Sequence, residues 1–89
     1  MEKNPKMYVQ VMTLFDMQGR MIPKYILMED GKKFAIDSVL DVKPAHAQKA
    51  GGYGDRYTIR VKGQERYLFF EHSAMSDAWI PGRWFVECR

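Results

Sequence analysis

Eighty-nine residues, 46% of them hydrophobic and 13% aromatic, with a net charge of +3, make one domain with enough apolar material to fold without metal or disulfide staples. The single cysteine, Cys88, excludes an internal disulfide and a zinc site built from cysteines. The opening MEKNPK lacks the apolar stretch of a secretory signal, and no apolar run reaches the ~18 residues of a membrane span, so a cytoplasmic protein without membrane association is expected.

Residues 1–6 read as a flexible N-terminal tail and 7–89 as a single domain. Turn signals at Gly19, Gly31, Gly51 to Gly54, Gly63 and Gly82 separate β-branched and aromatic runs, and no 3.6-residue apolar stripe runs through them. MYVQVMTLF, 7–15, predicts the first strand. Val9, Val11 and Phe15 share one face, and Tyr8, Met12 and Leu14 share the other. Apolar character on both sides predicts a central or doubly covered strand. MIPKYILME, 21–29, is the second strand; Pro23 has no N–H to give a ladder and belongs near a strand start or on an edge. Asp30-Gly31 is the strongest hairpin signal, because both central residues of a type I′ turn need positive φ. A third strand starts at Lys33, passes through Phe34 and Ile36, bends near Asp37-Ser38 and continues from Val39 to Val42. In PAHAQKAGG, a proline opens and glycines close an alanine-rich stretch. That asymmetry predicts one short helical turn near 44–50, with a loop or 3₁₀ piece as the alternative for so short a segment.

AGGYGDRYTIRVKGQERYLFFE, 50–71, reads as a hairpin of 56–62 and 65–71, led in by GGYG as a turn. The two-residue connection is Lys62-Gly63 or Gly63-Gln64. Either register places Tyr57, Ile59 and Val61 with Leu68 and Phe70 on one face. Arg56, Thr58, Arg60, Lys62, Glu65, Tyr67, Phe69 and Glu71 fall on the other. After a polar connection over 72–78, RWFVEC forms the last strand, 83–88. About six strands in a chain this small predict an all-β fold, a small single-domain barrel that is SH3-like or similar and hides its edges. The expected core is Val9, Val11, Leu14, Ile26, Phe34, Ile36, Tyr57, Ile59, Val61, Leu68, Phe70, Trp84 and Val86.

Chemistry-bearing patterns are few. AGGYGD precedes a strand and lacks the GxxxxGK[ST] spacing of a phosphate loop, so its glycines read as positions of positive φ and close packing. His46 and His72 belong to no metal-ligand spacing. Glu71 and His72 are adjacent, which sends them to opposite faces of a strand. Asp37 and Asp41 flank a bend, and no GxSxG elbow occurs. Cys88 lies next to the chain end, a poor place for a preorganised nucleophile. No catalytic residue, cofactor or metal is therefore assigned, and a non-catalytic module is expected.

Charge distribution is more informative. Residues 32–62 hold seven Lys and Arg against three Asp, while the flanking thirds sum to zero and −1. Interleaved cations and aromatics suit a single-strand nucleic-acid surface, where bases stack on rings. The candidate nucleic-acid-binding residues are Lys43, Lys49, Arg56, Arg60, Lys62, Tyr53 and Tyr67, with Trp79 and Trp84 as further stacking candidates. The plainer alternative is a solvated basic face whose aromatics are covered by another strand or by the 44–50 segment. A second class of function is protein–protein interaction or self-association, in which a sheet edge pairs with a partner strand. In that reading Pro23 guards one edge and the C-terminal strand presents the other.

VLDVKPAHAQKAGGYGDRYTIRVKGQERYLFFE and RWFVE resemble a family of small uncharacterised bacterial proteins, hypothetical open reading frames with no assigned activity. The resemblance spans about residues 7–88. It implies a complete bacterial protein and transfers no catalytic or binding residue.

Overall fold

The structure, a computed structural model, describes residues 5–47, 52–73 and 79–88. Within these lie seven strands and no helix: β1 (Lys6–Phe15), β2 (Met21–Leu27), β3 (Lys33–Ala35), β4 (Ser38–Ala47), β5 (Gly52–Val61), β6 (Gln64–His72) and β7 (Gly82–Glu87). They form one antiparallel sheet in the order β3-β2-β1-β7-β6-β5-β4. Every ladder but one joins strands adjacent in the chain, and the exception brings β1 beside β7. The two end strands, β3 and β4, are themselves consecutive. The amide of Ile36 donates to the Lys24 carbonyl of β2 at 2.9 Å, and that of Asp37 donates to the Arg60 carbonyl of β5 at 2.8 Å. One corner of backbone therefore touches both halves of the sheet and curls it into a half-barrel. The segment expected as a single bent strand over 33–42 is this corner, so the six expected strands become seven.

Two bulges help the sheet to curl, since an extra residue bends its strand and raises the local twist. On β2, Tyr25 opposes Met12 while Pro23 opposes Thr13, which leaves Lys24 as the extra residue. The bulge turns Pro23 inward, and its side chain is fully buried. Pro23 is thus a core residue, not an edge guard. On β4, Val39 opposes Ile59 and Asp41 opposes Thr58, with Leu40 between them. That spacing keeps both Val39 and Val42 on the inner face.

The turns divide differently from the sequence expectation. Lys62 and Gly63 both have positive φ, 52° and 76°, and Val61 opposes Gln64, so the β5–β6 connection is the type I′ turn. Asp30-Gly31 instead sits in a longer loop closed by the Met28 amide on the Lys32 carbonyl at 2.8 Å. Only Gly31 there has positive φ, the pattern of a turn followed by a left-handed glycine. The β1–β2 connection repeats it: the Asp16 amide donates to the Arg20 carbonyl, and the Asp16 carboxylate accepts from the Gln18 and Arg20 amides.

The inner face carries the core. Ile26, Ile36, Tyr57, Ile59, Leu68, Phe70 and Trp84 are buried together, and Val9, Val11, Phe34, Val61 and Val86 pack against them. Trp84 meets Tyr57 and Phe70 edge-on at 5.0 and 4.9 Å. The Tyr57 hydroxyl donates to the Met21 carbonyl. Leu14 is not part of this core; it lies on the outer face and is 49% exposed. Phe85 is buried on that outer face, where Phe69 stacks on it at 5.0 Å and Tyr8 meets its edge at 5.9 Å.

Four further expectations change. Residues 44–47 extend β4 and pair with 52–55 of β5, so no helical turn forms there; 48–50 lie outside the described residues. Gly52 to Gly54 belong to β5, not to a leading turn. A Cβ on Gly54 would stand 2.9 Å from the Phe70 carbonyl oxygen, and one on Gly82 only 2.2 Å from that of Glu71. These two glycines thus let neighbouring strands approach β6. Lys6 already belongs to β1, and the Pro5 carbonyl accepts from the Cys88 amide, so these two residues are not part of a tail; 1–4 lie outside the described residues. Finally, β7 pairs on both sides, with β1 and with β6, and cannot offer an edge.

Candidate nucleic-acid interface

The outer face of β4, β5 and β6 is built from cross-strand rows. Lys43, Arg56 and Phe69 form one; Asp41, Thr58 and Tyr67 form the next; Ser38, Arg60 and Glu65 form the third. Period-two alternation forces this result, because the partners of these residues on the other face are the core residues Ile59, Tyr57 and Leu68. The Arg56 guanidinium lies 4.6 Å from the Tyr67 ring centroid, a cation–π contact across adjacent strands. Its Nε is enclosed without a hydrogen-bond partner. Among the described residues neither Arg56 nor Arg60 forms an ion pair, whereas Lys43 lies 3.6 Å from the Asp41 carboxylate. Tyr67 is 54% exposed, so the ring that Arg56 contacts remains largely accessible.

The remaining candidates are placed elsewhere. Lys62 sits in the β5–β6 turn with its Nζ 5.0 Å from the Phe34 ring centroid. It lines, with Tyr67 and Arg66, a hollow of about 720 Å³ walled by Ile26, Phe34 and Val61. Tyr53 lies on β5 opposite His46 of β4, an odd number of positions from Arg56 and Arg60 and so not in their rows. Lys49 lies outside the described residues. Trp84 is in the core and cannot stack on a base, while Trp79 is exposed. Lys43, Arg56, Arg60 and Tyr67 are therefore brought onto one surface, with Lys62 at its end.

Sequence reasoning missed a second polar group on the same sheet face. Glu71 accepts hydrogen bonds from the Lys6 ammonium and the Tyr8 hydroxyl, with Arg83 Nη2 at 3.5 Å. The Arg83 guanidinium lies 3.9 Å from the Tyr8 ring centroid. Burial alone raises the Glu71 pKa, but the hydrogen bonds from Lys6 and Tyr8 and the charges of Lys6 and Arg83 outweigh it, so the carboxyl titrates below its ordinary range. These partners come from β1 and β7, and separations of 65, 63 and 12 residues leave no local signal. His72, next to Glu71 at the same end of β6 and on the opposite face, has Nε2 2.8 Å from Asp55 Oδ2. Among the described residues no three His, Cys, Asp or Glu side chains group to hold a metal ion, and no helix is long and apolar enough to cross a membrane.

Chemically, the β4–β6 face offers guanidinium and ammonium donors for phosphate oxygens and one open aromatic ring for stacking. No family model matches the chain, and no curated protein and no solved structure matches it.

Proposed function

We propose that this chain is a non-catalytic binding module that takes nucleic acid, single-stranded or structured, on the outer face of β4, β5 and β6. The observation that supports this reading is the Arg56–Tyr67 pair: a guanidinium without an ion pair among the described residues, laid over an exposed ring. Lys43 stands in the same cross-strand row as Arg56, and Arg60 stands in the row beyond Tyr67. Phosphates meet the cations, and an unpaired base stacks on the accessible ring of Tyr67. Such stacking tolerates any base and contributes about 1–3 kcal/mol each. A cytoplasmic, bacterial setting is part of the same proposal, and a single cysteine suits a reducing compartment.

Fluorescence anisotropy with a labelled oligonucleotide, titrated at several salt concentrations, tests the proposal. Binding weakens steeply with salt, and Arg56→Ala or Arg60→Ala lowers the salt slope by about one phosphate contact each. Tyr67→Ala weakens single-strand binding while leaving binding to a simple polyanion unchanged. Absence of oligonucleotide binding at low salt overturns the reading.

A further inference from the structure

The strand at one end of the sheet leaves a long edge without a partner among the described residues. β4 has ten residues and pairs only with β5, whereas the other end strand, β3, has three. Val39 and Val42 of β4 line a groove of about 610 Å³ together with Met21, Ile22 and Pro23 of β2, and β2 forms no ladder with β4. Leu40 and Val42 are 43% and 46% exposed along it. A long edge with exposed apolar side chains is a template for pairing with another strand.

The order of residues on β4 says which strand fits. We propose that two copies of this chain pair edge to edge through β4, antiparallel about a two-fold axis at Val42. In that register Asp41 faces Lys43 of the second copy, and Lys43 faces its Asp41. Both residues sit on the outer face, opposite Thr58 and Arg56, and directly opposed residues of an antiparallel pair share a face. Val42 meets Val42 of the second copy. Leu40, set out of the ladder by its bulge, meets Pro44, which has no N–H to donate. The two positions least able to pair thus face each other. Shifting the axis to Asp41 or to Lys43 opposes like charges directly, which is unfavourable. The charges select the register, and the backbone and Leu40 and Val42 supply the contact. A C₂ interface of this kind is self-complementary and closes at two copies. The inference is independent of the nucleic-acid reading, and its test contains no nucleic acid.

Light scattering across a concentration series at low salt, with circular dichroism melts to confirm that each variant folds, decides it. Wild type dimerises. Asp41→Lys and Lys43→Asp each replace attraction by repulsion at two symmetric contacts and weaken dimerisation by at least about tenfold. The double variant D41K/K43D restores the pairing with reversed polarity and recovers the wild-type constant. A wild type that stays monomeric at the highest concentration overturns the proposal. So does a dimer that the single variants leave intact, or a double variant that fails to recover.

Discussion

The β1–β2 and β5–β6 hairpins are built from similar alternating sequences and end up with different exposed faces. In β5–β6 the inner residues Ile59 and Leu68 are 1% and 0% exposed, and the outer face carries Arg56, Thr58 and Tyr67. In β1–β2 the inner face buries Ile26 and Pro23, but the outer face carries Met12, Leu14 and Tyr25 in the open. Apolar residues on both sides of β1 predicted a central or doubly covered strand. A single sheet curled on itself has only one interior, and among the described residues no helix or second layer covers the outside. β1 is therefore central in its pairing and half-exposed in its burial. Two-sided apolarity matched the central position of β1 in the sheet but not cover on both faces, whereas polar–apolar alternation marked which face of β5–β6 is core.

The comparison can be broken at its strongest point first. Leu68→Ala and Ile59→Ala each remove a fully buried side chain and leave a cavity, so each costs about 2–5 kcal/mol, read as a shift in the urea midpoint. Gly82→Ala comes next. Its added Cβ meets the Glu71 carbonyl at 2.2 Å and the Phe70 ring at 2.7 Å, and relief requires β7 to move off β6, at about 1–3 kcal/mol. Gly54→Ala is milder, with its nearest atom at 2.9 Å. The same midpoint measurement ranks the pair.

A pH effect tests the outer-face link between the two hairpins, where Glu71 of β6 holds Lys6 and Tyr8 of β1. The Glu71 pKa is lower in the folded chain than its ordinary value, so the stabilisation it contributes is present above the unfolded value of about 4.3 and is lost as pH falls through the lower folded value. Thermal melts between neutral and acidic pH therefore show a falling melting temperature below that point. Glu71→Gln makes the fall shallower. An unchanged acid slope in Glu71→Gln removes this residue as a link.

The smallest effects are expected on the open faces. Leu14→Ser and Thr58→Ala change stability by about 0.5–1 kcal/mol or less. If Leu14→Ser proves as damaging as Leu68→Ala, the outer face of β1 is covered in solution. If Thr58→Ala is as damaging as Ile59→Ala, the surface that presents Arg56 and Tyr67 is not open.

Much of the candidate face was legible because it depends on parity. Once Tyr57 and Ile59 were placed in the core, Arg56, Thr58 and Arg60 had to point the other way, and the cross-strand partner Tyr67 followed from either turn register. What stayed hidden was whatever depended on a count being interrupted. The bulges at Lys24 and Leu40 carry no composition signal, yet they turn Pro23 inward and keep Val39 and Val42 on one side. The Asp30-Gly31 signal was also read too narrowly, because Asp-Gly suits more than one loop length, and the spacing of Met28 and Lys32 selected the longer one.

Local chemistry alone settled the all-β class, the turns at Gly19, Gly31 and Gly63, the two faces of the β5–β6 hairpin and most of the core, since alternation and glycine placement act over a few residues. Tertiary structure decided that PAHA continues a strand, because its partners 52–55 supply the ladder that a short isolated segment could not provide for itself. It also made the C-terminal strand central, left β4 at the edge, and buried Phe85 on the outer face between Tyr8 and Phe69. These outcomes depend on which strands meet across long sequence separations. That choice comes from closing one sheet around one core, and no short window of residues contains it.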